Sequence, residues 1–320
     1  MSKIIQAIID FFKKLFGLSP SVDLPTGAFP ATLYGMNLHD KGQTTEALLR
    51  CLKGSGLWLR YTVPTDEVAE ENWYRLDPLL ARLREARASY PGLKLTITLT
   101  GWSGYPPNAA DPHAADRLYR TLSDNEAHNR YYNLAYRLAK KLAAERFAYA
   151  VIEAWNEPDH EVYGIGLPLG DDFITRLTAL ALGFARGVWE AGGCGSAFPS
   201  FMSMNASRFD YIQRLWAACG SQYDYFNVHM YDESPQDCYE WAAKVADLTG
   251  DKPALITEHG DQHNKESIAI LRGQAWAFQK AFGDRLAGVL GYAACSDHAG
   301  WAIAPGADRE WKVTHDQNPF

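Results

Sequence analysis

The chain has 320 residues, 47% hydrophobic and 22% charged, which is globular composition with enough apolar residues for a full core. A formal charge of -7 leaves no basis for a nucleic-acid partner. The five cysteines (Cys51, Cys194, Cys219, Cys238 and Cys295) are scattered, with no CxxC pair and no metal-ligand spacing, and are expected to be reduced, buried thiols.

In chain order, Ser2–Gly17 alternates Ile and Phe with Lys3, Gln6, Asp10, Lys13 and Lys14, the pattern of an amphipathic helix. Charges interrupt its apolar region and no small-residue cleavage site follows, so it is not read as a secretory signal. It is also too short and too charged to span a bilayer. Three roles compete for residues 2–17: a helix docked on the rest of the chain, a membrane-surface helix with a basic polar face, or a protein-contact or self-association helix. Residues 18–27, rich in Pro, Ser and Gly, read as a linker. The expected division is residues 1–27, helix and linker, and residues 28–320, one domain. With no signal peptide, the protein is expected to be cytoplasmic or released without a classical signal.

Beyond the linker, short apolar runs alternate with longer amphipathic stretches. The runs predict strands at Thr32–Asn37, Gly56–Val63, Leu93–Thr100, Tyr149–Asn156, Gly195–Phe198, Tyr225–Tyr231, Ala254–Glu258 and Gly288–Cys295. Between them, helices are predicted at Thr44–Lys53, Glu71–Ala88, Asn125–Glu145, Asp171–Ala191, Ser207–Cys219, Pro235–Leu248 and Lys265–Phe282. Strict alternation implies parallel strands joined by helical crossovers, and eight units imply an α/β chain forming a single (β/α)8 TIM barrel. No GxGxxG turn follows a strand, so no dinucleotide cofactor is expected.

Barrel enzymes carry their chemistry at the C-terminal strand ends. On the sixth strand, Asn227, His229 and Tyr231 alternate with Phe226, Val228 and Met230, so the polar set faces the barrel interior. On the fourth, the same period places Glu153, Trp155 and Glu157 on one face, with Glu157 at the mouth. A buried Glu153 needs a cationic or donor partner. Arg60, near the end of the second strand, is the candidate, although it is also placed to support Glu258. Asn37 and His39 share a face at the end of strand one, and Trp102 follows strand three. The inventory suits a hydroxyl-rich neutral ligand, and the ten Trp and seventeen Tyr lean the same way.

Tyr34-Gly-Met-Asn37, Leu59-Arg60, Trp155-Asn-Glu-Pro158, His229-Met-Tyr231 and Thr257-Glu-His-Gly260 resemble, in this order, the strand-end motifs of the retaining glycoside hydrolases of clan A, the 4/7 superfamily. The resemblance covers roughly residues 30–300. It implies that Glu157 is the general acid/base and Glu258 the nucleophile. It further implies that Asn156 hydrogen-bonds the sugar 2-hydroxyl, Tyr231 donates to Glu258, Arg60 keeps Glu258 ionised and His229 lines the glycone-side pocket. The implied partner is a polysaccharide or oligosaccharide, and no cofactor is implied.

The chain departs from the pattern at strand eight, where the family usually places a Trp. Here the run continues to Asp297 and His298, and Trp301 follows in the loop. Trp102 and Trp301, with Tyr105 and Tyr163, are the candidate stacking platforms. A metal reading would use His259, Asp261 and His263 with His229 and His298, but the His-x-His that opens many metal barrels is missing from strand one, so no metal is expected. Two other classes stay open: a carbohydrate-binding pseudo-enzyme on the same barrel, and a structural component anchored by residues 2–17.

Overall fold

Eight parallel strands form one sheet in a computed structural model that describes residues 23–25, 29–38, 58–100, 121–160, 164–260 and 268–291. They are β1 (Tyr34–Leu38), β2 (Trp58–Pro64), β3 (Lys94–Thr100), β4 (Val151–Glu153), β5 (Gly195–Ala197), β6 (Phe226–Tyr231), β7 (Ala254–Gly260) and β8 (Leu286–Gly291). The sheet order β5-β4-β3-β2-β1-β8-β7-β6 brings β1 beside β8, as a barrel requires. The remaining seam lies between β5 and β6. There Tyr225 N–H donates to Ser196 O at 3.0 Å, Phe198 N–H donates to Tyr225 O at 3.0 Å, and the Asp224 carboxylate accepts from Ser196 N–H at 2.8 Å. The chain is a single, nearly closed (β/α)8 barrel.

The helices are α1 (Thr65–Ala69), α2 (Leu76–Ser89), α3 (Asp124–Ala144), α4 (Asp171–Ala191), α5 (Ala206–Cys219), α6 (Pro235–Thr249) and α7 (Ile268–Phe282). The stretch predicted as one helix over Glu71–Ala88 begins later, at Leu76, with α1 before it. Two features cause the break. Glu71 takes a left-handed backbone (φ 54°), and the buried Glu67 carboxylate accepts the Arg75 and Leu76 N–H groups at 3.1 and 3.0 Å, capping α2 from α1. The start of α3 is set by a capping box between Ser123 and Glu126. Residues 1–22, with the predicted N-terminal helix, and the helix predicted at Thr44–Lys53 lie outside the described residues.

Two apolar layers form. The outer one lies between strands and helices and contains Leu59, Ile97, Ile152, Phe226, Val228, Met230, Ile256 and Val289. The inner one is a small plug of Trp58, Val151, Ala197, Leu255 and Leu290. Trp58 fits because Gly35 and Gly288 leave room: a Cβ on Gly35 would meet the Trp58 backbone and Cβ, and one on Gly288 the indole ring. Trp58 Nε1–H donates to Ala287 O at 2.7 Å, so the buried indole is satisfied. Above this plug the interior turns polar.

Helices α3 and α4 pack at backbone distance. Gly183 and Gly187, one turn apart on α4, face the carbonyls of His128 and Tyr132 on α3, where a Cβ would clash. Gly183→Ala is therefore expected to destabilise the fold by about 1–3 kcal/mol, although Ala is the better helix former by about 1 kcal/mol. The check is a lower urea midpoint at unchanged slope.

Candidate active site

Arg60 is the hub of the polar interior. It is 2% exposed, and the Asn37↔Arg60 and Arg60↔Thr96 pairings of β2 place it inside the barrel. Its Nε and Nη2 donate to the two Glu153 oxygens, both at 2.8 Å. Nη1 donates to Asn37 Oδ1 at 2.8 Å and to Glu258 Oε1, and Nη2 donates to Asn156 Oδ1 at 2.6 Å. The sequence left Arg60 between Glu153 and Glu258; the planar guanidinium serves both. Burial works against the Arg60 charge, but Glu153 and Glu258 outweigh it and raise its pKa. Burial would likewise raise the Glu153 carboxyl, yet Arg60 holds it below its ordinary value, helped by a hydrogen bond from Ser200 Oγ.

Asn37 uses its side chain within the barrel. Its amide donates to Thr257 O at 3.0 Å and Gly291 O at 2.9 Å while its oxygen accepts from Arg60. It ties β1, β7 and β8 together under the site.

Glu157 does not follow the simple alternation expected of the fourth strand. The strand ends at Glu153, and Trp155 turns into the helix layer, stacked on Tyr131 with ring centroids 5.0 Å apart. Trp155 therefore does not share a face with Glu153, because the pleat is lost once β4 leaves the sheet. Past it, Glu157 N–H donates to Ser200 O at 2.9 Å and the residue adopts φ 50°. That left-handed backbone is uncommon for a residue with a side chain, and it brings both Asn156 and Glu157 toward the mouth. The following loop is pinned by Asp159, whose Oδ1 accepts Met202 N–H at 2.9 Å and whose Oδ2 accepts from Arg208 Nε.

On β7 a bulge does comparable work. Val228 pairs with Ile256 but His229 pairs with Glu258, and the β8 side shows a shift over the same residues. The extra residue is Thr257. Its hydroxyl donates to Asn227 Oδ1 at 2.7 Å inside the barrel, and Glu258, the next residue, also points inward. Bulges re-aim side chains beside functional sites in this way.

The two carboxylates meet at His229. Its Nδ1 shares a hydrogen bond with Glu157 Oε1 at 2.8 Å and lies 3.7 Å from Glu258 Oε2. One oxygen of each carboxylate and a ring nitrogen of His229 lie within 4.8 Å of one another. Such a trio has the spacing to hold a divalent cation. Here its atoms already have partners, Glu258 accepting from Arg60 and from Tyr231 Oη as well. Burial raises the Glu157 carboxyl to about 7. Burial also lowers the His229 pKa, against the pull of Glu258, and so favours the neutral ring. The geometry thus sets one buried carboxyl biased toward its protonated form against one held by a cation and a hydroxyl.

No family model matches the sequence, and no curated protein matches it. Solved structures do match. The GH53 catalytic domain of Ignisphaera aggregans superposes with a TM-score of 0.58 at 15% identity, over 91% of this chain and 93% of that one. A glycoside hydrolase family 5 enzyme of Prevotella bryantii gives 0.58 at 14% identity, over 93% and 98%. A family 26 endo-β-1,4-mannanase of Cellulomonas fimi gives 0.57 at 16% identity, over 86% and 67%. The fold is that of these glycoside hydrolases.

In this barrel, the structure brings together Asn37, Arg60, Asn156, Glu157, His229, Tyr231 and Glu258, seven of the residues singled out from sequence. His39, Trp102 and Trp301 lie outside the described residues, as do Tyr105, Tyr163, Asp261, His263, Asp297 and His298. His259 leaves the site altogether: it is buried on the outer side of β7, against Tyr34 and Phe278. Sequence reasoning missed Ser200, Asp159 and Gln274. None sits in a motif, and each acts through a long-range hydrogen bond.

Proposed function

We propose that this chain is a retaining glycoside hydrolase that cleaves a β-linked polysaccharide or oligosaccharide. The observation that carries the reading is the carboxylate pair: an oxygen of Glu157 and one of Glu258 within 4.8 Å, in contrasting surroundings. Retaining enzymes hold the two carboxyl groups about 5–5.5 Å apart, whereas inverting enzymes leave about 6.5–9.5 Å for a water.

In the proposed mechanism, Glu258 attacks the anomeric carbon while Glu157 delivers its proton to the departing glycosidic oxygen. The covalent glycosyl-enzyme is then hydrolysed by a water that Glu157 deprotonates. Two inversions give net retention. Glu258 attacks as the carboxylate, and Arg60 and Tyr231 each donate a hydrogen bond to it. Glu157 must start protonated, which burial favours. The saccharide class is supported by a neighbouring family 5 enzyme variant solved in complex with a xyloglucan tetradecasaccharide.

Three measurements test this. The first is the anomer released from a β-linked substrate, followed by proton NMR before mutarotation; the β anomer is expected, and the α anomer sinks the retaining reading. The second is the pH profile. Glu157 acts in its protonated form, so kcat/KM is expected to fall as pH rises through about 7. The third is Glu157→Ala. It is expected to lose about 10²–10⁴-fold on natural substrates. It should retain turnover on aryl glycosides with good leaving groups and be rescued by azide as a β-glycosyl azide. Equal losses on both substrate types without rescue exclude Glu157 as the acid/base. No turnover on any glycoside, with oligosaccharide binding intact, would instead favour a sugar-binding pseudo-enzyme.

A further inference from the structure

Gln274, on α7, is fully buried and touches no group of the carboxylate site, yet it reaches two of the strand ends that build it. Its Oε1 lies 3.0 Å from His259 Nδ1. Its Nε2 donates to Glu233 O at 2.8 Å, with a longer contact to Gly260 O at 3.4 Å. The Gly260 carbonyl also accepts Asp232 N–H at 3.0 Å. One amide therefore ties the end of β7 to the chain that leaves β6.

The residues so tied adjoin the proposed chemistry directly. Glu258 precedes His259, and Tyr231 comes two residues before Glu233. Between Tyr231 and Glu233, Asp232 takes φ 59°, a conformation that a side-chain-bearing residue keeps only when its surroundings hold it. The Thr257 bulge sends Glu258 inward and the next side chain outward, so a polar His259 enters the helix layer between Tyr34 and Phe278. A polar ring there needs a partner, and Gln274 is the partner present.

We propose that Gln274 is a positioning residue of the active site. Through His259 and Gly260 it sets the end of β7 that carries Glu258, and through the Glu233 carbonyl it sets the turn that follows Tyr231. It thereby holds the Tyr231 hydroxyl on Glu258. The inference rests on the hydrolase reading for its kinetic consequence but not for its structural one.

The test replaces Gln274 by Met, which keeps the volume and removes the amide. Gln279→Leu is the control, because it removes a side-chain hydrogen bond from the same helix to Gly283 O, just past the helix end and away from the C-terminal strand ends that build the site. Gln274→Met is expected to lower kcat/KM on the order of 10–100-fold, as sub-ångström to 1 Å misplacement does. The loss should fall on kcat more than on KM, because the hydroxyl contact to Glu258 is what moves. The control should show no such kinetic loss at a similar loss of thermal stability. Gln274→Glu retains the acceptor toward His259 and serves where the Met variant fails to fold. A crystal structure of the folded variant reads the Tyr231–Glu258 hydrogen bond without reference to turnover. If that bond survives unchanged, the inference is overturned even where the wild type is an active hydrolase. If the bond opens in a protein that cleaves no glycoside, the positioning role stands and the hydrolase reading is what fails.

Discussion

Glu258→Ala is expected to abolish turnover on every glycoside, activated or natural, by at least about 10⁴-fold. A good leaving group replaces the help of an acid but not of a nucleophile, so this variant differs in kind from Glu157→Ala. The structure also says why inactivity will not be mere unfolding. With Glu258 gone, Arg60 keeps Glu153, Asn37 and Asn156. Its buried charge stays paired, and the polar interior loses one acceptor rather than its organising contact. The expected result is a folded protein with a urea midpoint near that of the wild type and no detectable product. Substantial residual activity on aryl glycosides would remove Glu258 from the nucleophile role.

Arg60→Met is expected to damage stability as well as turnover. Glu153 has no exposed surface, and apart from Arg60 its side chain has the Ser200 hydroxyl as hydrogen-bond partner. Removing the cation strands a buried carboxylate, which costs about 3–5 kcal/mol. The sign of the pH dependence follows. In the wild type the Glu153 pKa is depressed on folding, so its contribution is present above the unfolded value and lost as pH falls. In Arg60→Met burial, the largest influence on Glu153, is opposed by His229 and the Ser200 hydrogen bond without the guanidinium, so the pKa is expected to rise instead and the variant to be relatively more stable at pH 5 than at pH 8. Adding Glu153→Gln should restore part of the lost stability but none of the activity, since Glu258 still lacks its cation. Urea midpoints of the two single variants and the double variant at both pH values measure this coupling. A double variant no more stable than Arg60→Met would show that the Arg60–Glu153 pair is not what holds the polar interior. Arg60→Lys is no substitute, because one ammonium cannot present the planar fork that meets Glu153, Asn37, Asn156 and Glu258 together.

The barrel was legible because its signal is periodic. Apolar runs short enough for strands alternate with helix-length amphipathic stretches, and α4 falls on the predicted Asp171–Ala191. The polar alternation of β6 showed which side chains face inward, since a strand's period is 2 and holds while the strand stays regular. Where regularity stops, pattern reading stops with it. Trp155 breaks phase because β4 is three residues long, and Glu157 is aimed by a left-handed backbone that no residue preference announces.

By itself, the sequence determined the alternating architecture, the strand ends to inspect and the residue types gathered there. Those depend on local period and on side-chain chemistry, which a linear string carries. The tertiary structure alone decided that one guanidinium serves four residues, that the Thr257 bulge turns Glu258 inward and His259 outward, and that Ser200, Asp159 and Gln274 hydrogen-bond to segments around the site. Each of these is a contact between residues far apart in the chain, or a shift of one residue in strand register. A shift of that size reverses the face a side chain presents while leaving composition and periodicity almost unchanged.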